Sequence, residues 1–416
     1  MMDEGITIVG SGQAAFQLAG FLRDEGYAGR IRLVGDEAHL PYQRPPLSKA
    51  YMNGEVEADG LSFQTRDYYA RRDIDLHMGT RVVRIDRASR YVETDAGERL
   101  PYGHLVLATG ARNRSLPGVD LAQASVLDLR GLDDARGIRE RLASAGEIVV
   151  VGAGFLGLEF AAVAAKKGVR VTVVEAGSTL MGRAVCAEVG EAFRRHQESL
   201  GVRFLLGNTL RGLRPLDGTR SALDLADGQT LRADLVVVSI GVLPNVELAQ
   251  QAGLRTDNGI LVDACLGTED PHVSAIGDCA AFTSRFAGGL CRIESVQNAM
   301  DQARCLAKRL TGNSAAYDAL PWFWSDQGGL KLQIAGLASA ADEVVIRGDQ
   351  QTPSFSAYRF RDGELAAVES VARPSDHMAA RRLLNASARV TPAHVRDQAF
   401  DLRTLLPAAP TAASTV

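Results

Sequence analysis

Residues 148–165 read IVVVGAGFLGLEFAAVAA. Four apolar β-formers run into a turn containing Gly152, Gly154 and Gly157, and the turn opens onto an apolar helical stretch. The VRVTVV that follows reads as a second strand and ends on the acid Glu175. Strand, glycine-rich turn, helix, strand, acid is the order of a dinucleotide-binding βαβ unit. The glycines allow a tight turn and close backbone approach, and the free N–H groups at the helix start hold a pyrophosphate. Gly152, Gly154, Leu156 and Gly157 are therefore expected around a phosphate group, with Glu175 accepting from a ribose hydroxyl.

The pattern occurs twice. ITIV (6–9) leads into Gly10, Gly12, Ala14 and Ala15, then the helical FQLAGFLRDEG, then the strand IRLVG and the acids Asp36 and Glu37. Two copies in full context predict two adenine dinucleotide sites on an α/β chain with two Rossmann-type domains. LVLATG (105–110), LVVVSIG (235–241) and VSAIGDCA (273–280) each read as a strand stopping at glycine. They suit a chain that enters one nucleotide domain, leaves for a second and returns. After residue 318 the pattern changes: KLQIAGL, EVVIRG and FSAYRFRDGELAAVESV alternate apolar and polar around DG turns, predicting an antiparallel sheet. HMAARRLLNAS reads as an amphipathic helix, and PAAPTAASTV as a frayed tail.

Composition narrows the function. Over 416 residues the net charge is −4, which gives no pull toward nucleic acid or anionic membrane. The opening MMDEGITIVG carries acids and enters a strand at once, unlike a signal or transit peptide, and the glycines and Glu159 interrupt the best candidate for a membrane span. Cysteines stand at 186, 265, 279, 291 and 305, too far apart for a metal site, and read as reduced, mostly buried thiols of a cytoplasmic protein. Glu159 is the anomaly, since a carboxylate in so apolar a helix requires a partner. Lys166, further along the same helix, is one candidate.

The order GSGQAA, LPYQRPPLSK, LVLATG, VVVGAGFLGLE, SIGVLPN, SAIGDCA, RIESVQNAMDQA and PWFWSDQ resembles the FAD-dependent ferredoxin reductases that serve bacterial oxygenases, from about residue 4 to about 405. The resemblance implies a glutathione-reductase-like fold: an FAD domain over 1–113 and 240–318, an NAD domain over 114–239, and a C-terminal α/β domain over 319–416. It implies that Gly10, Gly12 and Ala14 line the FAD pyrophosphate, that Asp36 meets the adenosine ribose and Asp278 the ribityl or phosphate region, and that Val82 and Arg130 make further FAD contacts. Val296 would present a helix N-terminus to the isoalloxazine, and Trp322 would pack beside the ring. Lys49 would face the flavin N5 and pair with Glu159, which would supply the partner that the buried carboxylate needs.

Disulfide reductases of this fold need paired cysteines beside the flavin, and none occurs in the first 185 residues. Electrons taken from NADH would therefore pass directly to an external acceptor, a small [2Fe–2S] ferredoxin feeding a P450 or Rieske oxygenase. Rubredoxin reductases and nitrite-reductase subunits fit the same pattern. A second class, resembling apoptosis-inducing factor, would use its NADH-bound state for association rather than turnover. Arg304 and Lys308, four apart on one helix face with Arg309 beside them, are the expected dock; the resemblance matches Arg304 to a partner-contact arginine.

Overall fold

The computed structural model describes residues 5–116, 126–217 and 220–407. All but the first residue of the tail PAAPTAASTV, expected to be frayed, lies outside the described residues. Two five-stranded parallel sheets carry the two glycine motifs. In the first, the strands run Val273–Ala275, His104–Leu107, Ile6–Val9, Ile31–Gly35 and Ile74–Met78. In the second they run Val202–Leu206, Arg170–Glu175, Glu147–Val151, Leu235–Val238 and Val126–Asp128.

Each motif strand is the middle one of five, flanked by strands on either side that are reached by opposite directions of winding. That reversal opens a crevice beyond the carboxyl end of the motif strand, where doubly wound sheets bind ligands. Into it point the starts of helices α1 (Gln13–Asp24) and α2 (Phe155–Lys166). Both sheets also carry a three-stranded antiparallel insert, Val82–Asp86 with Tyr91–Thr94 and Arg99–Pro101 in one, and Leu210–Asp217 with Arg220–Leu225 and Thr230–Ala233 in the other. The chain crosses between the two units through a paired ribbon, Ala111–Asn113 antiparallel to Val242–Pro244.

The third unit is a five-stranded antiparallel sheet, Trp322–Gln327, Leu330–Gly336, Glu364–Val371, Ser354–Arg361 and Glu343–Asp349. Its DG turn has φ of 51° at Asp362 and 82° at Gly363, the two left-handed residues of a tight hairpin. One apolar cluster joins all three units, with Leu47 and Tyr51 from the first, Leu158 and Phe160 from the second, and Leu332 and Phe355 from the third. Glu159 lies at the rim of that core. Two thiols, Cys186 and Cys279, are buried and the other three are partly exposed, so the expectation of mostly buried cysteines fails; all five are free. Of the three partly exposed ones, Cys265 lies in a turn, Cys291 ends the short strand Gly289–Cys291 and Cys305 lies within the helix Val296–Leu310.

No helix among the described residues is long and apolar enough to cross a membrane.

Candidate active site between the two nucleotide units

The glycines divide by what surrounds them. A Cβ on Gly10, which sits at φ 120°, would lie 2.1 Å from the Ala108 carbonyl oxygen, and one on Gly152, at φ 102°, would lie 2.3 Å from that of Ser239. These positions need glycine because neighbouring backbone passes against them. Gly12 is the opposite case: a Cβ there meets nothing within 4 Å, and one on Gly154 meets only the Ser239 oxygen at 4.0 Å. The open space faces a continuous cleft of about 1,680 Å³ shared by both turns. Backbone N–H groups at two helix starts, exposed to a large cleft with no side chain in the way, fit the pyrophosphates of two dinucleotides.

Most of the expected residues line this cleft: Gly10, Gly12, Ala14, Asp36, Lys49, Arg130, Asp278 and Val296 on one side, and Gly152, Gly154, Leu156, Glu159 and Glu175 on the other. Gly157 sits just behind, where a Cβ would meet the Gly152 oxygen at 2.5 Å, so its role is close packing of helix on strand. Arg130 donates to Asp278 at 3.2 Å. Asp36 pairs with Arg81 at 3.2 Å and remains more than half exposed. Glu175 accepts from the backbone of Ala153 and of Gly177, each at 2.7 Å, which fixes the carboxylate beside the glycine turn. Helix α3 (Val296–Leu310) starts at the cleft, capped by Ser295, whose hydroxyl accepts from Asn298 N at 3.0 Å.

Glu159 is held from three sides. Lys49 Nζ and Ser48 Oγ donate to its Oε2 at 2.7 and 2.6 Å, and Ser325 Oγ donates to its Oε1 at 2.7 Å. The Glu159 side chain is 7% exposed and that of Lys49 27%, so the pair sits at the boundary between core and cleft. A buried charge needs both a counter-ion and hydrogen bonds to its remaining lone pairs, and Glu159 has both. Lys166 takes no part; it donates to the Gly328 carbonyl at 2.8 Å.

Three expectations need correction. Trp322 does not line the cleft; it faces a second cavity of about 410 Å³ with Arg304, Lys308 and Arg381, whose guanidinium lies 4.3 Å from its ring. Trp324, two residues along the same strand face, is the tryptophan at the cleft, and it is 38% exposed. Val82 also lies off the cleft, its side chain packed in a core with Val9 and Val34. Arg309 does not join the basic face: it turns inward and donates to Cys265 O and Ser274 Oγ, each at 2.8 Å. Arg304 and Lys308 are exposed on α3, with the Arg304 guanidinium 4.4 Å from the Phe21 ring.

Sequence reading missed Ser48, Ser325 and Trp324. It also missed Arg114 and Arg183, which line the cleft and converge over Gly241, where a Cβ would meet Arg183 Nη2 at 3.1 Å.

Comparison with known proteins agrees with this geometry. The family model described as pyridine nucleotide-disulphide oxidoreductase matches residues 5–303, and one described as reductase C-terminal matches 322–406. Rhodocoxin reductase of Rhodococcus erythropolis is 46% identical over 96% of this chain and 93% of its own length. Putidaredoxin reductase of Pseudomonas putida is 37% identical over 98% of both. Among solved structures, the ferredoxin reductase for the CYP199A2 system of Rhodopseudomonas palustris has a TM-score of 0.94 at 47% identity, covering 97% of this chain and all of that one. With one family model spanning well over half its length and full-length relatives far above 30% identity, this chain belongs to the pyridine nucleotide-disulphide oxidoreductase family.

Proposed function

We propose that this protein is a cytoplasmic flavoprotein that oxidises NADH on FAD and passes single electrons to a small [2Fe–2S] ferredoxin serving a P450 or Rieske oxygenase. The observation that carries the reading is the Lys49–Glu159 pair in a cleft served by two dinucleotide turns and lined, among the described residues, by no cysteine. A thiol-free cleft cannot relay electrons through a disulfide, whatever the family name, so the acceptor must be external. FAD, when bound, accepts a hydride from NADH and returns the two electrons one at a time. The relatives' names point the same way: one solved structure, with TM-score 0.93 and 37% identity, is the covalent putidaredoxin reductase–putidaredoxin complex. Five free thiols are consistent with a reducing compartment.

In this reading the first sheet, residues 1–113 and 240–318, holds FAD; residues 114–239 hold NADH; and 319–416 form the third unit. Gly10, Gly12 and Ala14 would hold the FAD pyrophosphate, Arg130 and Asp278 would make further contacts with it, and the free N–H groups at the start of α3 would stabilise negative charge on the reduced ring. Lys49 and Glu159 orient the nicotinamide between the two turns. Trp324, at the cleft, would take the place beside the ring expected of Trp322.

Glu175 sets the donor. Its carboxylate accepts from a free ribose 2′-OH and repels a 2′-phosphate, and Ala176, Gly177, Ser178 and Thr179 after it supply no cation. Like charges held together cost several kcal/mol, so kcat/KM for NADH is expected to exceed that for NADPH on the order of a hundredfold. Steady-state kinetics with both donors checks this, and equal values would refute it.

The dock is assigned to Arg304 and Lys308, exposed on the helix whose first turn reaches the cleft. A local basic face attracts an acidic ferredoxin even on a chain of net charge −4. Arg304→Glu is expected to raise KM for ferredoxin about tenfold and flatten its salt dependence. Ferricyanide reduction, which needs no dock, should stay at the wild-type rate. A parallel fall in both activities would make Arg304 a structural residue.

A further inference from the structure

The strand Trp322–Gln327 presents different chemistry on its two faces. Trp322, Trp324 and Asp326 project one way; Phe323, Ser325 and Gln327 project the other, along α2. Two residues of strand advance about 6.7 Å and four residues of helix about 6.0 Å, so strand repeats and helix turns stay in step over this length. Phe323 meets Phe155 with ring centroids 4.6 Å apart, Ser325 meets Glu159 at 2.7 Å, and beyond the strand Gly328 accepts from Lys166 at 2.8 Å.

Ser325 is 1% exposed and Gln327 is fully buried. The Gln327 amide donates to Ser325 Oγ at 3.4 Å and to Met181 Sδ at 3.2 Å. Because Ser325 accepts from Gln327, its own proton is directed at Glu159 Oε1. The donors on Oε2, Ser48 and Lys49, both come from the first unit. A carboxylate held at one oxygen can still swing about that anchor. Held at both, its plane is fixed.

From this geometry we infer that Ser325, supplied by the C-terminal unit, is a positioning residue for the nicotinamide site. It fixes the Glu159 carboxylate in the orientation that meets the incoming ring, so the third unit completes the hydride-transfer site as well as bordering the dock. The inference rests on the role assigned to Glu159 above.

The test uses the FAD-loaded full chain in four forms: wild type, Ser325→Ala, Glu159→Ala and the double variant. Stopped-flow bleaching by NADH gives the limiting rate of flavin reduction, and titration calorimetry with NAD⁺ gives affinity independently of turnover. Ser325→Ala alone is expected to lower the limiting rate about tenfold, the scale of one lost hydrogen bond to a buried charge, while NAD⁺ affinity changes much less. In the Glu159→Ala background the same substitution should cost no further rate, because no carboxylate remains to be positioned. Equal losses in both backgrounds, or an unchanged rate in the single variant, would overturn the inference and leave the role of Glu159 standing. A Glu159→Ala protein as fast as wild type would instead remove the reading on which it rests.

Discussion

Glu159→Ala is expected to slow reduction of bound FAD by NADH about a hundredfold, the cost of losing near-attack placement, with the flavin still bound. The carboxylate contacts Lys49, Ser48 and Ser325 and belongs to neither glycine turn, so its removal leaves the pyrophosphate sites intact. Lys49 opens on the cleft and can be rehydrated; the two serine hydroxyls lose their acceptor, and stability should fall by about 1–3 kcal/mol. Urea unfolding separates that loss from the kinetic one. Flavin release in proportion to the rate loss would contradict the assignment.

Gly10→Ala and Gly12→Ala should separate folding from cofactor binding at neighbouring positions. At Gly10 the added methyl group lies 2.1 Å from the Ala108 oxygen on a backbone at φ 120°. Strain and overpacking together should cost about 3–5 kcal/mol, lowering Tm and releasing FAD. At Gly12 the methyl group meets no protein atom within 4 Å, and φ −80° with ψ −166° suits any residue. Its stability without flavin should therefore match wild type, while the methyl group fills the space that the pyrophosphate needs. FAD titration and thermal unfolding of both variants give the comparison; a Gly12→Ala protein that binds FAD normally would remove that turn from the cofactor site.

The two βαβ units were legible because every element of their signature lies within about thirty residues, and periodicity of two or 3.6 reports burial directly. The antiparallel third sheet and its DG hairpin were legible for the same reason. The satisfaction of Glu159 was only half legible. Ser325 is 166 residues away, on a strand whose alternation looks like any other, and no local pattern marks one serine as a donor to a distant carboxylate. Trp322 and Trp324 share one strand face, so alternation could not say which lies over the cleft; the position of the strand along α2 decides it. Arg309 adjoins Lys308 in sequence, yet one helical step of 100° turns it from solvent toward Cys265 and Ser274. The three-stranded inserts of the two nucleotide units went unread because register shifts within Val82–Asp86 and Leu210–Asp217 break the period-two alternation.

The central claim is that electrons enter from NADH and leave for a ferredoxin without passing through a thiol. The direct measurement is anaerobic mixing of the purified yellow protein with NADH, followed by cytochrome c reduction with and without a [2Fe–2S] ferredoxin. The flavin is expected to bleach within one turnover and cytochrome c to be reduced rapidly only when ferredoxin is present, with the same rates after the partly exposed thiols Cys265, Cys291 and Cys305 are alkylated. Bleaching without ferredoxin-dependent turnover, or loss of that turnover on alkylation, would contradict it.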